Sequence, residues 1–160
     1  MLDVSIRPLV EEDAKISWKW RNDPVIWQYT GSRPDKTITE EIEVDWIRKI
    51  LRDPTSKRFA IIVNKNTYVG NVQLTEIDDR TAQFHIFIGD RDYWGKGIAY
   101  NAIILLLDYA YSVLDLEYIW LSVNCRNERA ISLYKKIGFE YSCRHNSEYI
   151  TMIHKPSSNS

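Results

Sequence analysis

The stretch Phe84 to Tyr100, Phe-His-Ile-Phe-Ile-Gly-Asp-Arg-Asp-Tyr-Trp-Gly-Lys-Gly-Ile-Ala-Tyr, limits the fold of this chain more than any other. Phe84, Ile86 and Ile88 alternate with His85 and Phe87 as in a strand, and a very apolar helix begins near Gly97 or Ile98. Two glycines stand at the helix start, although a glycine inside a helix costs about 1 kcal/mol relative to alanine. No Ser, Thr or Asn precedes the helix as a side-chain cap, so N–H groups of its first turn need another partner. An anion meets both conditions, because bare backbone allows close approach and the N–H groups with the helix dipole favour negative charge. The competing reading is an ordinary loop in which Gly95 and Gly97 only turn the chain. This stretch alone leaves a phosphate-binding strand–turn–helix and a plain loop both open.

The flanking segments supply the context. Val4 and Ile6 alternate in a short strand that stops at Pro8, and Glu11-Glu12-Asp13 opens a helix carrying Ile16, Trp18 and Trp20 that breaks before Pro24. Residues 21–35 read as a loop, although Trp27 and Tyr29 lie in it. Thr37 and Glu40 have capping-box spacing, and Ile42, Trp46 and Ile50 recur behind them, so a second helix is predicted over about 38 to 52. Phe59–Val63, Tyr68–Thr75 and the strand through Phe84–Ile88 form an antiparallel meander with turns at 64–66 and 78–80. The helix over about 98–113 is apolar nearly all round, and the strand Tyr118–Val123 after it should lie parallel to the strand before it. Asn127 is a favoured cap for a helix with an apolar stripe of Ala130, Ile131, Leu133, Tyr134 and Ile137, closed by Gly138. Two strands, near 139–141 and 149–153, complete an α/β chain, and 155–160 read as a frayed tail.

Charge and composition remove several function classes. The 21 basic and 22 acidic residues lack the basic excess of a general nucleic-acid or membrane-surface binder. The start of the chain reads as a strand, with no secretory signal, and the apolar run 98–107 is too short to span a bilayer. Cys125 and Cys143 make no disulfide framework and fit a cytoplasmic protein, and His85, His145 and His154 lack metal-ligand spacing, so no metal is expected.

With the element order and three motifs in place, the chain resembles the GNAT superfamily of acetyl-CoA-dependent N-acetyltransferases. Asp92-Tyr-Trp-Gly-Lys-Gly-Ile-Ala is similar to the family's pyrophosphate turn, [QR]-x-x-G-x-[GA], with Asp92 where the pattern has Gln or Arg. Asn127-Glu-Arg-Ala-Ile-Ser-Leu-Tyr134 is similar to its N-x-x-A-x-x-x-Y motif, and Lys135-Lys-Ile-Gly-Phe139 to the helix-to-strand exit that follows. The likeness runs from Ile6 to about Ile153. It implies one GNAT domain over 1–154: a mixed, mostly antiparallel sheet of about seven strands, splayed in the middle, with about four helices around it.

The resemblance also implies roles. Tyr93, Trp94, Gly95, Lys96, Gly97 and Ile98 would hold the pyrophosphate of acetyl-CoA, the backbone of Ile86, Phe87 and Ile88 would bond its pantetheine arm, and Asn127 would reach the same arm. Tyr134 would protonate the departing thiolate, although its place on an apolar stripe also fits a core aromatic. An alkyl amine is protonated near neutral pH, so some group must take its proton; Glu76 and His85 are the candidates. A solvated turn residue and a satisfied sheet histidine are the plainer readings of these two.

The acceptor site of the family is built largely by the first two helices, their loop and the final strands, here with Arg21, Trp27 and Tyr29 as substrate-binding candidates. Trp18-Lys-Trp-Arg-Asn-Asp-Pro24 is similar to acetyltransferases of nucleotide-linked amino sugars, the first expectation. Arg80-Thr-Ala-Gln-Phe-His-Ile86 and Ala110-Tyr-Ser-Val-Leu-Asp-Leu116 are similar to spermidine acetyltransferases, and a polyamine would need an acidic pocket such as Glu40, Glu41, Glu43 and Asp45 could form. Protein N-terminal acetylation is a third possibility within the subgroup. An acetyl-CoA-binding module without catalysis is the alternative from another class, against which Tyr134 argues. The resemblance allows a homodimer, and no face of the sequence marks one.

Overall fold

The computed structural model describes residues 2–27 and 36–156. Its sheet holds seven strands, β1 (Val4–Pro8), β2 (Lys57–Val63), β3 (Thr67–Thr75), β4 (Thr81–Ile88), β5 (Tyr118–Asn124), β6 (Glu140–Arg144) and β7 (Tyr149–His154), in the order β1-β2-β3-β4-β5-β7-β6. β4 and β5 run parallel, and every other neighbouring pair is antiparallel. The helices are α1 (Ala14–Trp20), α2 (Pro24–Trp27), α3 (Glu40–Leu51), α4 (Ile98–Ser112) and α5 (Glu128–Ile137), with single helical turns at Glu11–Asp13 and Arg91–Tyr93. This is the splayed, mixed sheet that the motifs imply, with the short α2 as an addition inside what reads as loop.

The two-residue period of the strands divides the side chains between two cores. Ile61, Val63, Val72, Leu74, Phe84, Ile119, Leu121 and Met152 pack on one face against α4, which buries Ile98, Ala102, Ile103, Leu106, Leu107 and Ala110. Ala60, Ile62 and Tyr68 point to the other face and pack with Trp20 of α1 and Ile47 of α3. Fully burying such an aliphatic side chain contributes about 1.5–3 kcal/mol, so α4 is bound firmly to the sheet. Ile104 and Leu105 nevertheless stay 41% and 38% exposed, so α4 is less completely covered than its composition suggests.

One local expectation shifts and another holds. Helix α3 is capped by Thr39, whose hydroxyl accepts from Ile42 N–H at 3.2 Å, and not by Thr37. Buried Ile38 explains the displacement: docking it fixes where the helix can begin, and Thr39 is then the residue in extended geometry ahead of the first turn. The β2–β3 turn is as read, with Asn64 and Lys65 at φ of 51° and 77°, the left-handed pair that a tight hairpin requires.

β3 and β4 approach closely at Gly70. A Cβ there would lie 2.3 Å from the Phe87 carbonyl oxygen and 2.9 Å from Ile88 Cα, both backbone atoms that cannot rotate away. Gly70→Ala is therefore expected to destabilise the fold by about 3 kcal/mol, as overpacking and backbone displacement do. Urea unfolding checks this, and an unchanged midpoint would refute the close approach.

Candidate active site

The parallel pair β4–β5 is joined only by Thr81/Tyr118, Ala82/Ile119 and Gln83/Trp120. Beyond Gln83 the two strands part, and a gap opens between Phe84–Ile88 and Leu121–Asn124. The antiparallel register on the other side of β4 tells which backbone groups face it. Gly89 N–H donates to the Val69 carbonyl at 2.8 Å, so the alternation sends Phe87 and His85 toward their β3 partners Asn71 and Gln73. Phe84, Ile86 and Ile88 thus turn their N–H and C=O groups into the gap. Of the three residues expected to bond the pantetheine arm, Ile86 and Ile88 are so directed; Phe87 is not, and its ring packs edge-on to Trp20 on the sheet face that carries α1 and α3. The Ile88 carbonyl already accepts a hydrogen bond from the Trp94 indole N–H at 2.8 Å.

At the end of β4 the chain makes the turn Arg91–Tyr93, with the Asp90 carboxylate accepting from Asp92 N–H at 3.1 Å. Gly95 and Gly97 follow in left-handed conformations, φ of 74° and 77°, and Gly97 is the N-cap of α4 without any side-chain cap. The first helical bond runs from Asn101 N–H to Gly97 O at 3.4 Å, and among the described residues the N–H groups of Gly95, Lys96, Gly97, Ile98, Ala99 and Tyr100 have no hydrogen-bond acceptor. Nothing lies within 4 Å of the position a Gly97 Cβ would take. A run of unengaged donors around open space suits an anion with several oxygens. Arg91, one source of charge for this turn, is paired with Asp23 at 2.9 Å. A second charge comes from α5, where Arg129 Nη2 stands 3.3 Å from the Cβ position of Gly95. Only tertiary packing makes Arg129 a neighbour of the turn; in the sequence it is an exposed residue of a later helix.

Helix α5 carries the other motif. The Asn127 side-chain oxygen accepts from Ala130 N–H at 3.2 Å, so it acts as a helix cap and keeps its amide N–H groups for other partners. Tyr134 packs edge-on to Phe84 of β4, with ring centroids 6.2 Å apart, and against Phe139 at 5.7 Å. Burial pushes its hydroxyl up to about 12, so the group is protonated at neutral pH. Tyr134 therefore stands beside the residue at which the gap opens.

On the face of the sheet that bears α3, His85 is largely buried, with Nε2 3.0 Å from the Thr75 hydroxyl. Burial first, and the nearby Arg58 charge second, hold its imidazole below the ordinary value, so it is neutral at working pH. Glu76 follows Thr75, whose β4 partner is Gln83, so it lies at the closed end of the gap; it is exposed and has a φ of 50°. Trp120, missed in the sequence, faces the same side, because Ile119 and Leu121 occupy the α4 core; strand parity was the available signal.

The acceptor-side candidates are only partly brought together. Arg21 donates to Glu43 at 3.0 Å and lies over the Trp46 ring at 4.4 Å, while Ser17 donates to the same carboxylate at 2.7 Å. Burial raises the Glu43 carboxyl, opposed by the bonds from Ser17 and Arg21. Glu43 is thus an internal anchor of α1 to α3, and Glu40, Glu41 and Asp45 are left as the outward acidic side chains of the run. Trp27 ends α2, and Tyr29 lies outside the described residues. Among the described residues no cluster of three or more His, Cys, Asp or Glu is arranged to hold a metal, and no helix is long and apolar enough to cross a membrane.

Comparison with known proteins agrees with this geometry. The family model described as an acetyltransferase (GNAT) domain matches residues 3–140. Over 138 residues the chain is 34% identical to spermidine N(1)-acetyltransferase of Escherichia coli, covering 85% of this chain and 72% of that protein. It is 30% identical to the Vibrio cholerae spermidine N(1)-acetyltransferase over 138 residues, covering 85% and 78% of the two chains. The crystal structure of spermidine N-acetyltransferase from Vibrio cholerae in complex with CoA and spermine superposes with a TM-score of 0.86 at 25% identity, over 95% of each chain. A domain from Methanocaldococcus jannaschii shares the fold, with a TM-score of 0.82 at 19% identity over 98% of this chain and all of that one. A gap that exposes one strand's backbone, a turn of free N–H donors at its end and a matching family model over most of the chain lead to one identification: this protein belongs to the GNAT family and is an acetyl-CoA-dependent N-acetyltransferase.

Proposed function

We propose that the acceptor is a polyamine of the spermidine class, acetylated on a primary amine. The observation that carries this is the kinship with spermidine acetyltransferases, 34% identity over 138 residues. It favours the second of the acceptors suggested by the sequence over the amino sugar. The outward carboxylates Glu40 and Glu41 at the start of α3 supply the negative potential a polycation needs, whereas Asp45 lies 3.6 Å from the Arg48 guanidinium.

Bound acetyl-CoA supplies an activated acetyl thioester. The free N–H groups of 95–100 hold its diphosphate, the inward N–H and C=O groups of Ile86 and the N–H of Ile88 align the pantetheine arm, and the Asn127 amide meets the same arm. A backbone N–H of β4 stabilises charge on the carbonyl oxygen as the amine nitrogen bonds to the acetyl carbon and the C–S bond breaks. His85, held neutral and fixed by Thr75, accepts the proton the amine loses, and Glu76 at the closed end of the gap passes it to solvent. Tyr134 donates a hydrogen bond to the leaving sulfur.

A titration follows from His85. Its folded pKa is depressed below the ordinary 6.5 or so, so an unfolded chain takes up a proton near that pH while the folded one does not. Stability should be unaffected by His85 above about pH 7 and fall as the pH drops below 6.5. His85→Gln, which retains a partner for Thr75, is expected to remove part of that acid-side slope in urea unfolding and to lower kcat by about tenfold or more. A wild-type slope and full activity in the variant would eliminate His85 as the base.

A specific observation favours the second reading, an acceptor with an anionic part such as a nucleotide-linked amino sugar. Trp46 has the Arg21 and Arg58 guanidinium carbons 4.4 Å and 5.8 Å from its ring centroid, and Arg58 Nε is buried without a hydrogen-bond partner among the described residues. Labelled acetyl-CoA tested against spermidine, spermine, nucleotide amino sugars and N-terminal peptides decides between them. Highest kcat/KM with the polyamines is expected, and preference for the sugar nucleotide would overturn the polyamine assignment.

A further inference from the structure

We propose that Arg129 of α5 clamps the donor's diphosphate against the glycine turn, facing the backbone donors of 95–100 across the anion. The inference rests on the reading of that turn as the donor site. Arg129 Nη2 stands 3.3 Å from the Cβ position of Gly95, so a side chain at 95 would meet the guanidinium before anything else. The residue is exposed, and among the described residues it forms neither an ion pair nor a side-chain hydrogen bond. Lys136, seven positions on and therefore on the same face of α5, lies over the Tyr100 ring at 5.3 Å. That face of α5 accordingly looks onto the glycine turn and the first turn of α4.

Charge makes the guanidinium necessary. A helix N-terminus offers the equivalent of about half an elementary charge, too little for a doubly charged diphosphate. Arg91 is held by Asp23 at 2.9 Å, and the remaining cation within the turn is Lys96, a flexible point charge. A guanidinium presents paired N–H donors matched to phosphate oxygens, and it closes the side of the turn that the backbone leaves open. The sequence gap of more than thirty residues between Gly95 and Arg129 hides this pairing, which exists because α4 and α5 pack side by side.

The test is calorimetric binding of CoA, 3′-dephospho-CoA and pantetheine to the full chain and to Arg129→Gln and Arg129→Lys. Arg129→Gln is expected to weaken CoA and 3′-dephospho-CoA equally, by roughly tenfold or more, and to leave pantetheine unchanged, while Arg129→Lys retains part of the affinity. Undiminished CoA binding overturns the proposal. A loss confined to CoA moves Arg129 to the 3′-phosphate and overturns it too, as does an equal loss for all three ligands, which would mean that α5 had shifted. If the unaltered chain itself binds CoA no better than pantetheine, the donor reading of the turn fails, whatever Arg129 does.

Discussion

Tyr134→Phe is expected to lower kcat by about two to three orders of magnitude, the scale of losing one donor aimed at developing charge. KM for acetyl-CoA should not change, because the hydroxyl acts on sulfur that becomes negative only as the C–S bond breaks. Burial holds the phenol near 12, whereas an ordinary thiol titrates near 8.5. Complete proton transfer to the thiolate would therefore be uphill. Tyr134 is better suited to donating a hydrogen bond to sulfur while the excess proton leaves from the amine. Stability should change by no more than about 0.5 kcal/mol, since the ring contacts with Phe84 and Phe139 remain in the variant. Steady-state kinetics and urea unfolding separate the two effects, and an unaltered kcat would reduce Tyr134 to a packing residue.

Gly95→Glu should be the most damaging change in donor binding. At φ of 74° a residue with a Cβ is strained by about 1–2 kcal/mol, and the added atom meets only Arg129 Nη2, at 3.3 Å, the end of a movable side chain. The fold should survive with a melting point a few degrees lower. Its carboxylate, however, is placed among the free N–H groups and the Arg129 guanidinium, where it competes as a tethered anion. CoA affinity is expected to fall about 100-fold, with pantetheine binding unaffected. Normal CoA affinity in a folded variant would remove the phosphate-turn interpretation.

Much of the architecture is local in origin and therefore readable. The alternation through Phe84–Ile88, the capping at Asn127, the closing Gly138 and the left-handed turn at Asn64–Lys65 are each fixed by interactions within a few residues. The cap of α3 falls at Thr39 rather than at the Thr37 that local spacing suggests, because the deciding contact is tertiary, the burial of Ile38. The acidic run of α3 likewise reads as four equivalent carboxylates, yet packing turns Glu43 inward to Ser17 and Arg21 and leaves the other three outside.

The glycine turn, its apolar helix and the strand before it are written in local pattern, because spacing and backbone permissiveness suffice for these. Which groups line the gap and meet the turn follows from tertiary packing. Pairing with β3 engages Phe87 and leaves Ile86 and Ile88 to face the gap, and that choice depends on register between strands. The parting of β4 from β5 after Gln83 is likewise a property of the pair, since either strand alone could continue pairing. Arg129 reaches Gly95, and Tyr134 reaches Phe84, only because α5 packs across residues far from it in the chain. Side-chain periodicity fixes what a residue can be within its own element; what it meets across the sheet is set by burial of the two cores, which no local pattern encodes.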